Sequence, residues 1–210
     1  LSSSEATRLP DNLVWPLSVE VGQLSVGRFE VGEHAHPDGK SVTIAEAVEA
    51  QLSSDGLLHR LLHLRARIGG LRVVAEASLE AKPPFALTAK AGIEGDAAGR
   101  ALAFDLTAEG RLEDFALQGL ARAGVTPAGE HFAGEIAARI TPFSPQPVLG
   151  AVIQLSAVDP SAWIDGAPQA VLDLRAELQP QGNASAGLSG RLTVLNRSPG
   201  PVDRQRLPVA

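Results

Sequence analysis

The 210-residue chain predicts an all-β fold: one elongated, curved, mostly antiparallel sheet. Three observations carry that expectation. Apolar residues recur with period two in segment after segment, the pattern of a strand with one oily and one wet face. The 21 Gly and 15 Pro are spread along the chain, which divides it into many short elements. Runs with the 3.6-residue period of a helix are rare, which excludes βαβ folds. Parallel strands covered on both sides would not alternate so cleanly, so the pairing is antiparallel.

Near the start, "LSVEVGQLSVGRFEVG" brings apolar pairs at Val19/Val21, Leu24/Val26 and Phe29/Val31. Each pair is offset by an extra residue after a glycine. A bulge or corner at Gly22 and Gly27 would keep all of them on one side. Ile44–Leu52 and Leu57–Ile68 read as short helix or strand, and their neighbours favour strand, with Leu58, Leu62, Leu64 and Ile68 on one face. Leu71–Leu79 and Phe85–Ile93 are apolar at the odd positions. Leu102–Leu106, Phe132–Ile140, Leu172–Leu178 and Leu188–Val194 alternate in the same way. Loops are expected at His34–Lys40, Gly95–Arg100, Gly124–Glu130 and Pro180–Ala184. "DPSAWI" predicts one helical turn, with Asp159 as N-cap and Pro160 in the first position.

Composition narrows the function classes. No stretch approaches the ~20 apolar residues that a bilayer-spanning helix needs, so this chain is not expected to cross a membrane. Cysteine is absent, which removes disulfides, thiolate metal sites and cysteine nucleophiles together. A formal net charge of −6 with mixed signs gives no electrostatic basis for nucleic-acid binding. Leu1 and the lack of any Met lead to the expectation of an internal piece of a longer protein, a single segment over 1–210 whose first ten residues lie outside the ordered sheet.

Candidate chemistry is sparse. His34 with His36, and His59 with His63, are spaced to share a face, but the second pair lacks the Glu of a zinc-peptidase helix and neither has a third ligand near by. They read as solvated or satisfied surface histidines, and no metal or other cofactor is expected. The sequence holds no Gly-x-Ser-x-Gly elbow and no Gly-x-Gly-x-x-Gly loop. The sequons at Asn183 and Asn196 are frequent chance matches. An enzyme is not expected.

So many one-sided strands must hide their apolar faces somewhere. A closed β-sandwich would do it, and so would a groove kept open for a greasy guest. Aromatic residues make up only 4%, and Ala, Val and Leu carry the apolar weight. Sheets packed ~10 Å apart are normally filled by bulky side chains. Small side chains leave room that acyl chains would fill, gaining ~0.8 kcal/mol per buried methylene. On composition and pattern both readings stand.

A family resemblance favours the groove. "SSDGLLHRLLHLRARIGGLRVVAEASLEAKPPFALTAKAGIEG", from Ser53 to Gly95, resembles the bacterial TamB (translocation and assembly module) family. The matching features are an Asp-Gly before a strand, a Gly-Gly before the next, and "PPFALTA" before a third. A second Pro-Phe in "RITPFSPQPVLGAVIQLSAVDPSAW", the closing "GRLTVLNRSPGPVDRQRLPVA" and the early "PLSVEVGQLSVGRFEVG" are also similar to it. The resemblance covers most of the chain and carries no active-site motif. It implies the U-shaped, taco-like hydrophobic trough of AsmA-like proteins. It also implies a periplasmic location in a protein anchored to the inner membrane, with a TamA-like partner in the outer membrane. The implied function is conduction of phospholipids between the membranes and support of outer-membrane biogenesis. A chaperone-like grip on strands of outer-membrane proteins, or a structural β-spacer, are the alternatives. On this reading phospholipid acyl chains lie against Val73, Leu79, Phe85, Leu87, Ile93, Leu102, Phe104, Leu106, Phe132, Ile136, Leu172, Leu174, Leu192 and Val194.

Overall fold

A computed structural model describes residues 9–31, 42–97, 100–125, 129–162, 164, 166–181, 187–201 and 206–208. Eleven strands pair in strict sequence order as one open antiparallel sheet. They are β1 (Val19–Val31), β2 (Val42–Ser54), β3 (Leu58–Ile68), β4 (Leu71–Glu80), β5 (Ala86–Ala97) and β6 (Arg100–Arg111), then β7 (Asp114–Val125), β8 (His131–Ile140), β9 (Val148–Val158), β10 (Leu172–Pro180) and β11 (Leu188–Asn196). β1 and β11 are the edges, so the sheet does not close into a barrel.

Tight turns enforce the up-and-down order. Gly69 and Gly70 both have positive φ, +55° and +87°, as a two-residue hairpin between β3 and β4 requires. Between β2 and β3 the Asp55 carboxylate accepts from the Leu57 and Leu58 amides at 2.9 and 2.7 Å. Gly56, at φ +89°, lets the chain pass close to the carbonyl of Trp15, and a Cβ there would sit 2.7 Å from that oxygen. The expected turn at Asp159 is present as a 3-10 turn over Pro160–Ala162. The Asp159 carboxylate accepts from the Ser161 amide and hydroxyl at 3.1 and 2.7 Å and from the Ala170 amide at 3.4 Å.

Several sequence expectations are corrected. Ile44–Leu52 and Leu57–Ile68 are strands, but a bulge divides the second: His63 has φ +53°, and the register against β4 shifts between Leu61 and Leu64. Leu58 and Leu62 therefore do not share the face of Leu64 and Ile68. Leu58 pairs with Glu80, and Leu62 with Gln51, while Leu64 and Ile68 pair with Ala75 and Leu71. In β1 the register shifts after Val21, next to Gly22, and again between Phe29 and Glu30 rather than at Gly27. The loop at Gly95–Arg100 shrinks, because β5 reaches Ala97 and β6 begins at Arg100. At Gly124–Glu130 and Pro180–Ala184 the strands likewise take Gly124, Val125 and Pro180. The His34–Lys40 loop, with His34 and His36, lies outside the described residues, as do 1–8 of the first ten.

No filled core stands behind the sheet. Among the described residues the buried apolar side chains are mostly alanines, joined by Phe85, Val171 and Leu172. The closed β-sandwich, which would bury large side chains between two layers, is not what forms.

Candidate functional site

Directly paired residues of neighbouring strands share a face, so the register maps the apolar surface row by row. Val73 pairs with Ile93, Ile93 with Phe104, and Phe104 with Ala121. The row continues through Gly134 and Leu155 to Leu174 and Val194. A second row runs from Leu106 through Gly119, Ile136, Ile153 and Ala176 to Leu192. A third begins with Leu79, Leu87 and Gly110 and continues to Phe115 and Ile140. Leu102 lies opposite Gly95 and Ala123 on the same face, and Phe132 shares it by its alternation with Gly134.

The expected contact residues therefore come together, with two qualifications. Phe85 is not on a strand: it precedes β5 at φ +56° and is 1% exposed, with its carbonyl accepting from the Leu112 amide at 2.9 Å. It plugs the end of the sheet instead of lining open surface. Leu172 is on the face, opposite Val158 and Asn196, but is itself buried. Sequence reasoning missed Phe115, Leu117, Ile153 and Leu155. β7 interrupts its apolar alternation with Gly119, and in both strands an apolar residue stands on the opposite face: Leu120 in β7 beside Asp105 and Glu135, and Val152 in β9 beside Glu177.

Large and small side chains interdigitate on the apolar face. A Cβ on Gly119 would lie 2.5 Å from Ile136 Cγ2 and 2.7 Å from Leu106 Cδ2, and one on Gly134 would lie 2.9 Å from Leu155 Cδ2. The bulky neighbours lean over the glycines, which are buried although the sheet is a single layer. Coverage falls toward the edges: Leu174 in β10 is half-buried, whereas Leu192 and Val194 in β11 are 64% and 48% exposed. Across the sheet Leu24 and Phe29 in β1 are exposed as well.

The opposite face is polar and carries cross-strand ion pairs. Arg72 reaches Glu94 at 3.8 Å, Arg28 reaches Glu46 at 3.6 Å, and Arg122 binds Asp105. Arg139 grips Asp114 at 2.6 Å, and Arg197 bridges Glu130 and Asp173 at 2.7 and 2.9 Å. The Arg139 hydrogen bond, with Arg111 beside it, holds the Asp114 carboxyl below the usual carboxylate range. Recesses lie on this side: one of about 830 Å³ is floored by Ala116, Ala137, Gly150 and Val152 and walled by Gln118 and Arg139. Another, about 440 Å³, lies around Val74 and Gly92 between Glu76, Lys90 and Asp105. They are gaps between long polar side chains standing on small residues.

One histidine of the "HRLLH" pair is structural. His59 Nε2 donates to the Leu13 carbonyl at 2.9 Å, and its Nδ1 accepts from the Ser54 hydroxyl at 2.8 Å. The Trp15 ring packs on it at 4.8 Å. The segment before β1 is thereby held across the ends of β2–β4, helped by backbone bonds from Leu13 to Ala81 and from Trp15 to Gly56. His63, exposed at its bulge, does not join it. Among the described residues no group of three His, Asp or Glu is arranged to hold a metal ion.

No protein family, curated protein or solved structure matches this chain. The likeness to TamB therefore rests on the sequence motifs alone. Among the described residues no helix is long and apolar enough to cross a membrane, which leaves β-barrel insertion unaddressed.

Proposed function

We propose that the apolar face binds phospholipid acyl chains and forms part of a lipid-conducting surface between two membranes. The observation that supports this reading most is the single-layered sheet whose rows of Leu, Ile, Val and Phe have no second layer to cover them. Contiguous apolar surface of this extent marks an interaction site. Its cross-strand rows contain no charged side chain along Val73–Val194 or Leu106–Leu192, which suits hydrocarbon and not a polar headgroup. Headgroups would stay in water beyond the strand ends while the chains lie on the sheet. Each methylene so covered contributes ~0.8 kcal/mol, so binding is shared among many residues and no single contact is essential.

The wider setting follows from the TamB-like motifs. On that basis the chain belongs to a periplasmic part of an inner-membrane-anchored protein that works with a TamA-like outer-membrane partner in outer-membrane biogenesis. The role is non-enzymatic and needs no cofactor.

A photocrosslinker at Leu87 or Phe104, both on the apolar face, should capture phospholipid in cells. The same group at Lys90 or Asp105, on the polar face, should not. Capture confined to Lys90 or Asp105 refutes the proposal. Capture of an unfolded polypeptide from Leu87 and Phe104 would favour the chaperone reading, which the exposed sheet edges make physically reasonable. Lipid-free protein with no capture at either face would leave the spacer role.

A further inference from the structure

Along β3–β5 the apolar face is walled at one end and open at the other. The row of Leu79 and Leu87 extends back through His59 and Ser54 to Val19, so the His59 imidazole stands on the apolar side. There it donates to the Leu13 carbonyl and packs against Trp15, while the Leu13 amide donates to the Ala81 carbonyl at 2.8 Å. The segment before β1 thus crosses the apolar face as a wall, with Ser54 and Ala81 buried behind it and Phe85 filling the corner before β5. At the other end of β3 and β4 the hairpin tip is bare. Ile68, Gly69 and Gly70 are exposed, and a Cβ on either glycine would meet nothing within 4 Å among the described residues. One step inside the tip Arg67 and Arg72 are directly opposed, a placement in which like charges repel. Glu94 meets Arg72 at 3.8 Å, and Glu46, beside Arg67, meets Arg28 at 3.6 Å. The two arginines line a recess of about 530 Å³ whose rim includes Gly69 and Gly70.

We propose that a phospholipid on β3–β5 lies lengthwise along the strands, with its acyl ends against the Leu13–Trp15 wall and its phosphate at the Gly69–Gly70 tip between Arg67 and Arg72. This orientation rests on the lipid reading of the apolar face and adds a direction to it. Hydrocarbon gains by ending against the wall, where its last methylenes leave water. A phosphate placed there would lose hydration among Ala81, Phe85 and Trp15, and burying an unpaired charge is costly. At the tip the phosphate stays hydrated and relieves the repulsion between two guanidiniums, whose planar forks suit its oxygens. The glycines carry no side chain, so the headgroup can round the tip from the apolar side to the arginines on the polar side. From Leu71 to Leu79 the lane measures about 27 Å at ~3.4 Å per residue. That exceeds the ~15 Å that the chains of one leaflet span in a bilayer, so an acyl chain has room to lie extended between tip and wall.

The sequence holds two tryptophans, Trp15 and Trp163, so Trp163→Phe leaves Trp15 as the reporter of the wall. That chain is loaded with phosphatidylcholine carrying a nitroxide either near the acyl terminus or on the choline, and unbound lipid is removed. The chain-end label should quench Trp15 fluorescence, and the headgroup label should leave it near the level seen with unlabelled lipid. His59→Ala, which frees the wall, should erase that difference. Arg67→Gln together with Arg72→Gln should weaken phosphatidylcholine binding roughly three- to tenfold and leave binding of diacylglycerol with the same chains unchanged. Equal quenching by the two labels, or stronger quenching by the headgroup label, overturns the orientation while lipid binding stands. A difference that survives His59→Ala, or a double variant that holds phosphatidylcholine as tightly as wild type, does the same. A chain that retains neither labelled lipid refutes lipid binding itself, and the orientation falls with it.

Discussion

A methyl group on Gly119 would have to displace Ile136 Cγ2 and Leu106 Cδ2, both ends of side chains that can rotate. At Gly110 the obstacle is backbone: a Cβ would meet the Asp114 carbonyl oxygen at 2.7 Å and the Phe115 Cα at 2.8 Å, with φ at +147°. Gly110→Ala should therefore cost more than Gly119→Ala, for which about 1–3 kcal/mol of overpacking is expected. Chemical denaturation of the two variants side by side checks that order. Among the described residues Phe85, 1% exposed, is the large apolar side chain most fully withdrawn from water. Phe85→Ala should destabilise by about 3–5 kcal/mol, whereas Phe104→Ala, half-buried on the open face, should cost less and instead weaken lipid capture. Asp114 adds a pH signature. Its carboxyl is held below the usual range by the Arg139 hydrogen bond, so its ionised form is favoured in the folded state. That contribution is present above the ordinary carboxylate value of about 3.9 and is lost as pH falls through the lowered folded value. Asp114→Asn should lower the unfolding midpoint at neutral pH, and its difference from wild type should close in strong acid and shrink in high salt.

At the scale of elements, sequence and structure agree where alternation is unbroken and part where it is interrupted. β4, β5, β6 and β10 are legible because apolar and polar residues change places at every step, and period two allows only one face to be apolar. β3 reads wrongly by one bulge: Leu58, Leu62, Leu64 and Ile68 look like a single face until the extra residue at His63 shifts the parity. β7 hides because Gly119 stands where a large residue would mark the pattern. That gap exists to admit Ile136 and Leu106, which lie far away in sequence. The segment before β1 is likewise set by partners that local reasoning does not supply, since His59 and Gly56 hold Leu13 and Trp15. Replacing His59 with Ala should free that segment. Limited proteolysis should then cleave near Asn12–Leu17 faster than in wild type, while the far-UV signal of the sheet is unchanged.

For the whole molecule, the accessible surface of 13,845 Å² decides how the fold is understood. A compact monomer of this mass would expose about 9,300 Å², so roughly half as much again is left in water. That excess accompanies a single layer of strands, and it predicts strong binding of an apolar dye such as ANS to the folded chain. Phospholipid in mixed micelles should compete with the dye and raise the melting temperature in proportion to the logarithm of lipid concentration, because only the folded sheet presents the rows. Absence of competition would separate dye binding from the proposed lipid surface.

The sequence by itself determined an all-β chain, antiparallel pairing, one apolar and one polar side, and most of the residues on the apolar side. These follow from period-two alternation, which is a local property of each strand. Only the tertiary structure decided that the sheet stays open in one layer, that Phe85 leaves the face to plug its end, and that glycines in β7 and β8 sit under leucines and isoleucines of neighbouring strands. Those outcomes depend on register and on which strands have partners. Such relations are set between segments, and no single segment carries them.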